Sequence, residues 1–425
     1  MKENGALVSR LDEIGVIEGS NKDGEPIIGE QFLCRDPEER VFYKGRWYEG
    51  LYLHAGESPD DKAQLEKFNA EIANWVSWRD ARSRRAFTIP ISACSDDAEV
   101  TALDRISMGD WMNERGFAST RLRWWVDYAC RDDYGMTLDQ TSAWAGLFYF
   151  CSRVSKPDVE SQPLITWPEG NGRLVKHLFE KIKPKVQLDR AALELIPLEE
   201  NGRSRVDVIT IDREGRNPRG FRSDHVIFAA PQTMARYVIR PYRDDPPAHI
   251  GEFQLGSWMV ANLTLKDRPT SGSKRDFPLA WDNVFFESPS LGYVVATHQR
   301  SLERGPTVLT YYYPLCDKDP RAARTRLLET DWHGWADVVL SDLTRAHPDI
   351  RNIVERLDVM RWGHAMIRPR TGFVWGKARS QGAKPFRSIH FAHSELSGVA
   401  LFEEAFDVGL RAADEVLRAQ IRKRE

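Results

Sequence analysis

The chain has 425 residues and a formal net charge of −3, from 60 basic and 63 acidic residues. This near balance leaves no electrostatic footprint for nucleic acid, and the 41% hydrophobic fraction indicates a globular protein large enough for two domains. No run of about 18 apolar residues occurs, so no transmembrane segment is predicted, and the five widely spaced cysteines predict reduced thiols.

The first part of the chain combines a short polar region, a hairpin and a helical region. Residues 1–30 are rich in glycine and charge. Residues 31–56 alternate aromatic and charged side chains, which predicts a hairpin that turns near Gly45. Ser58 precedes a proline, as at the start of a helix, and the spacing of apolar residues predicts mainly helix over 58–153.

The pattern changes at Leu164, where a short strand is predicted over 164–167, followed by a glycine-containing loop and a helix. A mixed strand region is predicted over 255–315 and a helical region from Pro320 to Leu357. Three further strands are predicted between turn signals, at Leu193–Ile196, Arg205–Ile211 and His225–Ala229.

The last forty residues carry the most informative pattern. A short apolar strand at 389–392 ends in a polar loop, and the loop leads into a long amphipathic helix from Phe402. The first backbone N–H groups of a helix have no internal partner, so such a helix start suits an anion or an electron-rich ring edge. Periodicity alone favours a plain strand–loop–helix that closes an α/β domain.

Three segments resemble sequence blocks of the flavin-containing amine oxidase superfamily. Residues 391–395, Phe-Ala-His-Ser-Glu, resemble its Phe-Ala-Gly-(Thr)-Glu block, and residues 402–405 resemble its Met-Glu-Gly-Ala helix start. Residues 224–231 resemble its Asp-x-Val-Ile-x-Ala-x-Pro strand. The order and spacing of these blocks extend the resemblance over 164–425, and the chain is most similar to the bacterial spermidine-dehydrogenase-like branch.

The resemblance implies a mixed α/β (α+β) fold of the two-domain amine-oxidase type. It implies an FAD-binding domain assembled from 164–237 and 361–425, and a substrate domain assembled from 31–163 and 238–360, with 1–30 as an N-terminal remnant. The implied function is FAD-dependent oxidation of a small, polyamine-like amine by hydride transfer from the carbon beside its nitrogen, in which the flavin carries the chemistry.

The same resemblance implies the residues that contact the cofactor. Ser394 and Glu395 would face the ribityl and phosphate side of FAD, and the N–H of Phe402 or Glu403 would approach the flavin N1–C2=O edge. The resemblance implies no catalytic residue, and no metal site is predicted. The full set of implied contacts is Leu193, Ala230, Pro231, His393, Ser394, Glu395, Phe402 and Glu403.

The chain also departs from the family pattern. No G-x-G-x-x-G loop, which would cradle the pyrophosphate, occurs near the N terminus, so the first Rossmann βαβ unit is predicted to be missing and FAD binding to be weak or absent. Residues 170–172 are Gly-Asn-Gly, but Val175 occupies the third glycine position. His393 replaces a glycine, Val260 stands where many members carry a flavin-facing lysine, and Leu401 replaces a tyrosine.

Two spatial expectations follow. Each part of the implied FAD domain is too small to bury its own apolar faces, so the strand at 389–392 is expected beside the strand at 225–229. Glu395 and the helix start at Phe402 are expected to line a cleft shared by both domains.

Other interpretations stay open. The chain is also compatible with a desaturase or isomerase of the same superfamily that acts on an apolar substrate, or with a non-catalytic remnant that acts as a binding or scaffold protein. The chain as written is expected to be cytoplasmic, or periplasmic if a missing N-terminal segment carried a signal. The expected partner is a small-molecule amine, with the electron acceptor and the oligomeric state undetermined.

Overall fold

The computed structural model describes residues 4–22, 24–154, 156, 164–200, 202–270, 276–300 and 304–422. The helices of this part of the chain are α1 Gly5–Glu13, α2 Pro59–Ser77, α3 Ala98–Ala102, α4 Met108–Glu114, α5 Thr120–Tyr134, α6 Ala143–Ser152, α7 Gly172–Ile182, α8 Gln232–Val238, α9 Arg240–Asp244, α10 Pro320–Glu329, α11 Trp332–Thr344, α12 Ile350–Ile353, α13 Lys377–Gly382 and α14 Phe402–Arg422. The strands are β1 Ile17–Ser20, β2 Pro26–Ile28, β3 Glu39–Tyr43, β4 Arg46–Glu49, β5 Ala191–Glu200, β6 Arg203–Ile211, β7 Arg219–Ser223, β8 Val226–Phe228, β9 Ser257–Leu265, β10 Asp282–Phe285, β11 Gly292–Val295, β12 Thr307–Leu315, β13 Val354–Trp362 and β14 Ile389–Phe391.

These elements form two compact units, and the predicted mixed α/β class is confirmed. The domain roles implied by the resemblance stay a prediction. The segments of the larger unit are Met1–Thr88, Ala93–Arg173 and Leu255–Thr371, and those of the smaller unit are Ile89–Ser92, Leu174–Gln254 and Gly372–Glu425.

The larger unit is built on a seven-stranded sheet in the order β13-β9-β12-β11-β10-β3-β4. Only β10 and β3 are parallel neighbours; the other pairs are antiparallel. Successive side chains of a strand point to opposite faces, so each strand contributes to both sides of the sheet. On one face, Leu263 and Tyr311 pack with Leu327 of α10 and with Trp335 and Val339 of α11.

The other face of this sheet lies against α5. Tyr128 of α5 packs with Trp258, Val284 and Leu291. The helix begins after Ser119, whose hydroxyl accepts a hydrogen bond from an N–H of its first turn, and it ends at a left-handed glycine, as helices commonly do. This packing fixes which α5 side chains face the sheet.

The helical region predicted over 58–153 is confirmed in outline. Ser58 caps α2 through a reciprocal capping box with Asp61. Within this region, residues 107–134 form two helices, α4 and α5, because Gly116 adopts a φ of +73° that a helix cannot continue through. The hairpin predicted at Gly45 is confirmed as the β3–β4 pair.

Two predicted elements are wrong. Residues 164–167 form no strand; Ile165 makes only an isolated bridge to Leu33. The helical region predicted as far as Leu357 ends at Ile353, and Val354 begins β13, which pairs antiparallel with β9. The long partner strand β9 supplies main-chain hydrogen bonds there, and this tertiary pairing overrides local helical spacing.

The smaller unit contains a parallel two-stranded sheet, β8 and β14, and a separate antiparallel sheet, β5-β6-β7. Ile389 pairs with Val226 and Phe391 with Phe228. The expected proximity of the strands at 389–392 and 225–229 is therefore confirmed.

The helix predicted after the glycine-containing loop is α7, and the amphipathic helix predicted from Phe402 is α14; much of the apolar surface of each is exposed. In α7 only Leu174 is buried, and Val175 and Ile182 are 56% and 53% exposed. In α14, Val408 and Ala412 are buried, whereas three other apolar side chains are 43–58% exposed. The β8–β14 sheet consists of two three-residue strands and offers too little area to cover the apolar face of α14. The exposed α14 positions are Leu410, Leu417 and Ile421.

Candidate functional site

Two loops meet in the smaller unit at the carboxyl ends of the parallel strands β8 and β14. Ala230 and Pro231 follow β8, and His393 to Glu395 follow β14. Glu395 joins the loops, because one of its carboxyl oxygens accepts a hydrogen bond from the backbone N–H of Gln232. Five of the predicted cofactor residues thus lie together, at the edge where open α/β sheets place their ligands.

The Glu395 carboxyl is almost fully buried, at 1% exposure. Its second oxygen, Oε2, has no hydrogen-bond partner among the described residues, and neither has Oε1 of the equally buried Gln232. Burial raises the pKa of Glu395 to about 7, opposed by the hydrogen bond from Gln232. Buried polar atoms are rarely left unpaired, so these two atoms indicate a place for a polar ligand group.

His393 fits the position where the family carries glycine. Its φ is −152°, an extended conformation open to any residue. Its ring Nδ1 accepts a long hydrogen bond of 3.4 Å from the Glu395 N–H, and burial lowers the pKa of the imidazole. Ser394 begins a short 3-10 helix, and its carbonyl accepts a 2.7 Å hydrogen bond from the Ser397 hydroxyl.

Phe402 and Glu403 lie at the start of α14, as predicted, and both are partly exposed. The next residue, Glu404, is fully buried, and its carboxylate accepts a 2.8 Å hydrogen bond from the backbone N–H of Ile91. Burial raises the pKa of Glu404 to about 7. The first turn of α14 therefore offers N–H groups beside a carboxyl that is anchored to another segment of the same unit.

Leu193 lies elsewhere, on β5 of the antiparallel sheet, where half of its side chain is exposed. Its carbonyl accepts a 3.0 Å hydrogen bond from Arg243, and the adjacent Glu194 pairs with Arg240. The contact with FAD that the resemblance implies for Leu193 stays a prediction.

The sequence did not single out Gln232 or Glu404. Gln232 follows Pro231 directly, and a buried glutamine after a strand–proline end is a weak signal. Glu404 lies within residues 402–405, and an acidic residue in the first turn of a helix is ordinarily explained by the helix dipole alone. Its burial depends on the segment around Ile91, which is more than 300 residues away in sequence.

The larger unit contains a cavity of about 500 Å³ between α5, the end of α6 and the sheet face opposite α10 and α11. Its walls are aromatic and acidic, a combination that the sequence analysis did not identify. The aromatic side chains are Trp125, Tyr128, Tyr149, Phe150, Trp281 and Tyr312, and the acidic ones are Glu38, Glu39, Asp132, Asp133 and Asp282.

Sheet register and helical spacing bring the carboxyl groups together. In the parallel pair β3–β10, Glu39 lies directly opposite Asp282, so both side chains point to the same face. Asp132 follows Tyr128 by one helical turn of α5, and the Tyr128 hydroxyl donates a 2.9 Å hydrogen bond to Asp282. Two strands and one helix thus direct three carboxyl groups at one cavity.

The charges of the cavity wall are poorly compensated. Arg153 is the one basic residue among its described lining residues, and it forms an ion pair with Asp133 at 3.1 Å. Burial, and then repulsion from Glu38, raises the pKa of Glu39 to about 7; burial, and then repulsion from Asp133, does the same for Asp132. Burial also raises the pKa of Asp282 well above its usual range, with Asp132 and Glu39 adding to the shift.

In the described part of the chain, no three His, Cys, Asp or Glu side chains form a group that could hold a metal ion. None of the described helices is both long and apolar enough to cross a membrane.

No protein-family model matches the chain, and no curated protein matches it by sequence. Among solved structures, wild-type putrescine oxidase bound to putrescine aligns with a TM-score of 0.65 and 15% identity, over 98% of this chain and 86% of that chain. Cyclohexylamine oxidase from Brevibacterium oxydans aligns with a TM-score of 0.61 and 13% identity, over 98% of this chain and 97% of that chain. The chain therefore has the fold of these amine oxidases, as its resemblance to the flavin-containing superfamily implied.

Proposed function

We propose that the protein is an FAD-dependent oxidoreductase that oxidises a small, polyamine-like amine, and that the smaller unit holds the cofactor. The observation that carries the proposal is the pair of buried, unpartnered oxygens of Glu395 and Gln232 at the carboxyl ends of β8 and β14. The fold likeness to putrescine oxidase and cyclohexylamine oxidase, one of them bound to putrescine, supports an amine as the substrate.

The residues present suit the ribityl side of FAD. Glu395, with a pKa of about 7, can donate from its protonated carboxyl or accept as a carboxylate, and a ribityl hydroxyl needs such a partner. The N–H groups of Phe402 and Glu403 open α14, whose dipole favours negative charge at this end. FAD, when bound, supplies the acceptor for the hydride; Glu395 would hold the ribityl chain, and the N–H groups at the α14 start would orient the ring system.

The pyrophosphate of FAD would find fewer hydrogen-bond donors in this chain than the ribityl side does. The sequence has no G-x-G-x-x-G loop near its start, and such a loop normally donates several charge-assisted hydrogen bonds of roughly 1.5–3 kcal/mol each. Losing three would cost on the order of 5 kcal/mol, or about four decades in affinity. We therefore propose that this chain, as given, binds FAD weakly and turns over slowly.

Titration of the purified full chain with FAD, followed by quenching of flavin fluorescence, tests the cofactor site. We expect weak, saturable binding of FAD to the wild type. Glu395→Gln should change the affinity, and Glu395→Ala should weaken it by about tenfold, which is the effect of losing one hydrogen bond. Asp414→Asn is the matched control, since Asp414 is an exposed acid of α14. Circular dichroism confirms that each variant is folded.

Amine-dependent dye reduction at saturating FAD then tests the reaction. Reduction by putrescine and by cyclohexylamine, absent without FAD, would support an amine oxidoreductase. No FAD binding at any concentration would overturn the cofactor assignment, and stoichiometric flavin after purification would overturn the weak-binding part alone.

A further inference from the structure

The acidic and aromatic cavity of the larger unit has no part in the cofactor proposal. We propose that this cavity is a binding site for an elongated organic cation, a diamine or polyamine, whose ammonium groups neutralise Glu39, Asp132 and Asp282 and whose methylene chain lies on the aromatic walls. The inference rests on the proposed function only in identifying this cation with the amine substrate; the binding itself requires no flavin.

The first argument for a bound cation comes from the register of the sheet. Directly opposed like charges on neighbouring strands destabilise a sheet, yet β3 and β10 place Glu39 beside Asp282 inside a cavity. Arg153, the one basic residue among the described lining residues, forms its ion pair with Asp133 instead. An ammonium group of a ligand supplies the missing opposite charge.

The Asp132 carboxyl gives a second argument, which does not depend on the sheet register. Asp132 faces the cavity from α5, and its carboxyl makes no hydrogen bond or ion pair within 4 Å in the described chain. It lies deep enough that burial is the largest cause of its raised pKa. A carboxylate without a fixed partner in such a place is costly unless a ligand pairs with it.

The aromatic walls select the kind of cation. Trp125, Trp281 and Tyr312 line the same cavity, and aromatic faces attract ammonium groups and pack against methylene chains. A hard metal ion would instead need six or more oxygen ligands at short range, and the described carboxyl groups form no such cluster. A volume of about 500 Å³ suits a chain-like molecule rather than a single ion.

Binding should depend on pH. Glu39 and Asp132 have pKa values of about 7 without ligand, so a cation that needs them ionised binds more tightly as the pH rises through 7 and releases protons on binding. The other titratable groups on the cavity wall are Glu38, Tyr128, Asp133, Tyr149, Arg153, Asp282 and Tyr312.

Isothermal titration of the flavin-free full chain at pH 8 tests the site. The probes are 1,4-diaminobutane and spermidine, with 1,4-butanediol as the neutral analogue and calcium chloride as the metal alternative. We expect saturable binding of the two amines, no binding of the diol and no competition by calcium. Asp132→Asn and Glu39→Gln should each weaken amine binding at least tenfold.

Asp337→Asn is the matched control, because Asp337 is an exposed acid of α11 outside the cavity. It should bind the amines as the wild type does. Equal amine binding by Asp132→Asn, Glu39→Gln and wild type, equal binding of the diol, or displacement of the amine by calcium would each overturn the proposal. Because no flavin is present, these outcomes are separate from any failure of FAD binding or amine oxidation.

Discussion

Two sets of acids with raised pKa values can be compared within this chain. In the smaller unit, Glu395 and Glu404 each accept a backbone hydrogen bond, from Gln232 and Ile91 respectively. In the larger unit, Glu39 lies beside Asp282 in the sheet register, and its carboxyl has no hydrogen-bond partner among the described residues. Burial raises the pKa values in both sets, but in the second set Asp282 accepts hydrogen bonds, from the Tyr128 hydroxyl and the Asn283 N–H, whereas the Glu39 carboxyl has no such bond.

The difference shows how a buried acid can be assigned a role. A carboxyl group that accepts a backbone N–H holds two segments together, and its remaining oxygen is available to one further partner. Several carboxyl groups that face one cavity without fixed partners repel each other, and a cation relieves that repulsion. The first arrangement favours stability and positioning, whereas the second favours binding at a cost in stability.

The largest effect is expected for Glu404→Ala, which leaves the buried N–H of Ile91 without its acceptor. We expect a loss of about 1–3 kcal/mol in the free energy of unfolding, measured by urea denaturation. Glu403→Ala, at the neighbouring and partly exposed position, should change it by less than about 0.5 kcal/mol. Equal effects of the two variants would show that Glu404 does not anchor the Ile91 segment.

The pH dependence of stability sharpens the comparison. The pKa of Glu395 is about 7 in the folded chain against an ordinary value of 4.5, so its contribution is fully present below pH 4.5 and is lost as the pH rises through 7. Stability of the wild type relative to Glu395→Gln should therefore fall between pH 5 and pH 8, by up to about 1.4 kcal/mol per pH unit. Parallel pH profiles would contradict the raised pKa.

A smaller change in the free energy of unfolding, here a gain rather than a loss, is expected for a variant of the cavity. Without ligand at pH 8, Glu39→Gln removes one of two adjacent like charges and should stabilise the chain by about 0.2–1 kcal/mol. Glu49→Gln, at an exposed position of the adjoining strand β4, is the control and should be neutral. Thermal denaturation measures both, and a loss of stability in Glu39→Gln would show that Glu39 has a structural partner.

The smallest effect is expected on the surface of α14. Asp414 and Arg418 form an exposed ion pair at 2.6 Å, and such pairs contribute little because water and salt screen them. Asp414→Asn should change the free energy of unfolding by less than about 0.5 kcal/mol in a urea titration. A larger loss would show that α14 depends on surface charge more than on the burial of Val408 and Ala412.

The strand, loop and helix of residues 389–422 could be predicted well because their sequence signals are local. The apolar strand before His393, the helix from Phe402 and the pairing of β14 with β8 all followed from short patterns and from the need to cover apolar faces. The mixed α/β class and the amine-oxidase fold followed from the same segments. Predicting the contacts of Glu395 was harder, since they depend on Gln232, 163 residues earlier.

The cavity could not be predicted, because no segment contains it. Glu39, Asp132 and Asp282 are separated by 93 and 150 residues, and each alone resembles an ordinary surface acid. The parallel register of β3 and β10 brings two of them together, and register between distant strands is not encoded in either strand alone. The exposed faces of α7 and α14 were missed for a related reason, since periodicity predicts an apolar face without predicting what covers it.

The most direct test of the account is anaerobic titration of the FAD-saturated full chain with spermidine, followed by flavin absorbance. We expect the amine to bleach the flavin in the wild type and in Asp337→Asn, and to do so only at much higher concentration in Asp132→Asn. A fully FAD-loaded chain whose absorbance no amine changes would contradict the proposed amine oxidation.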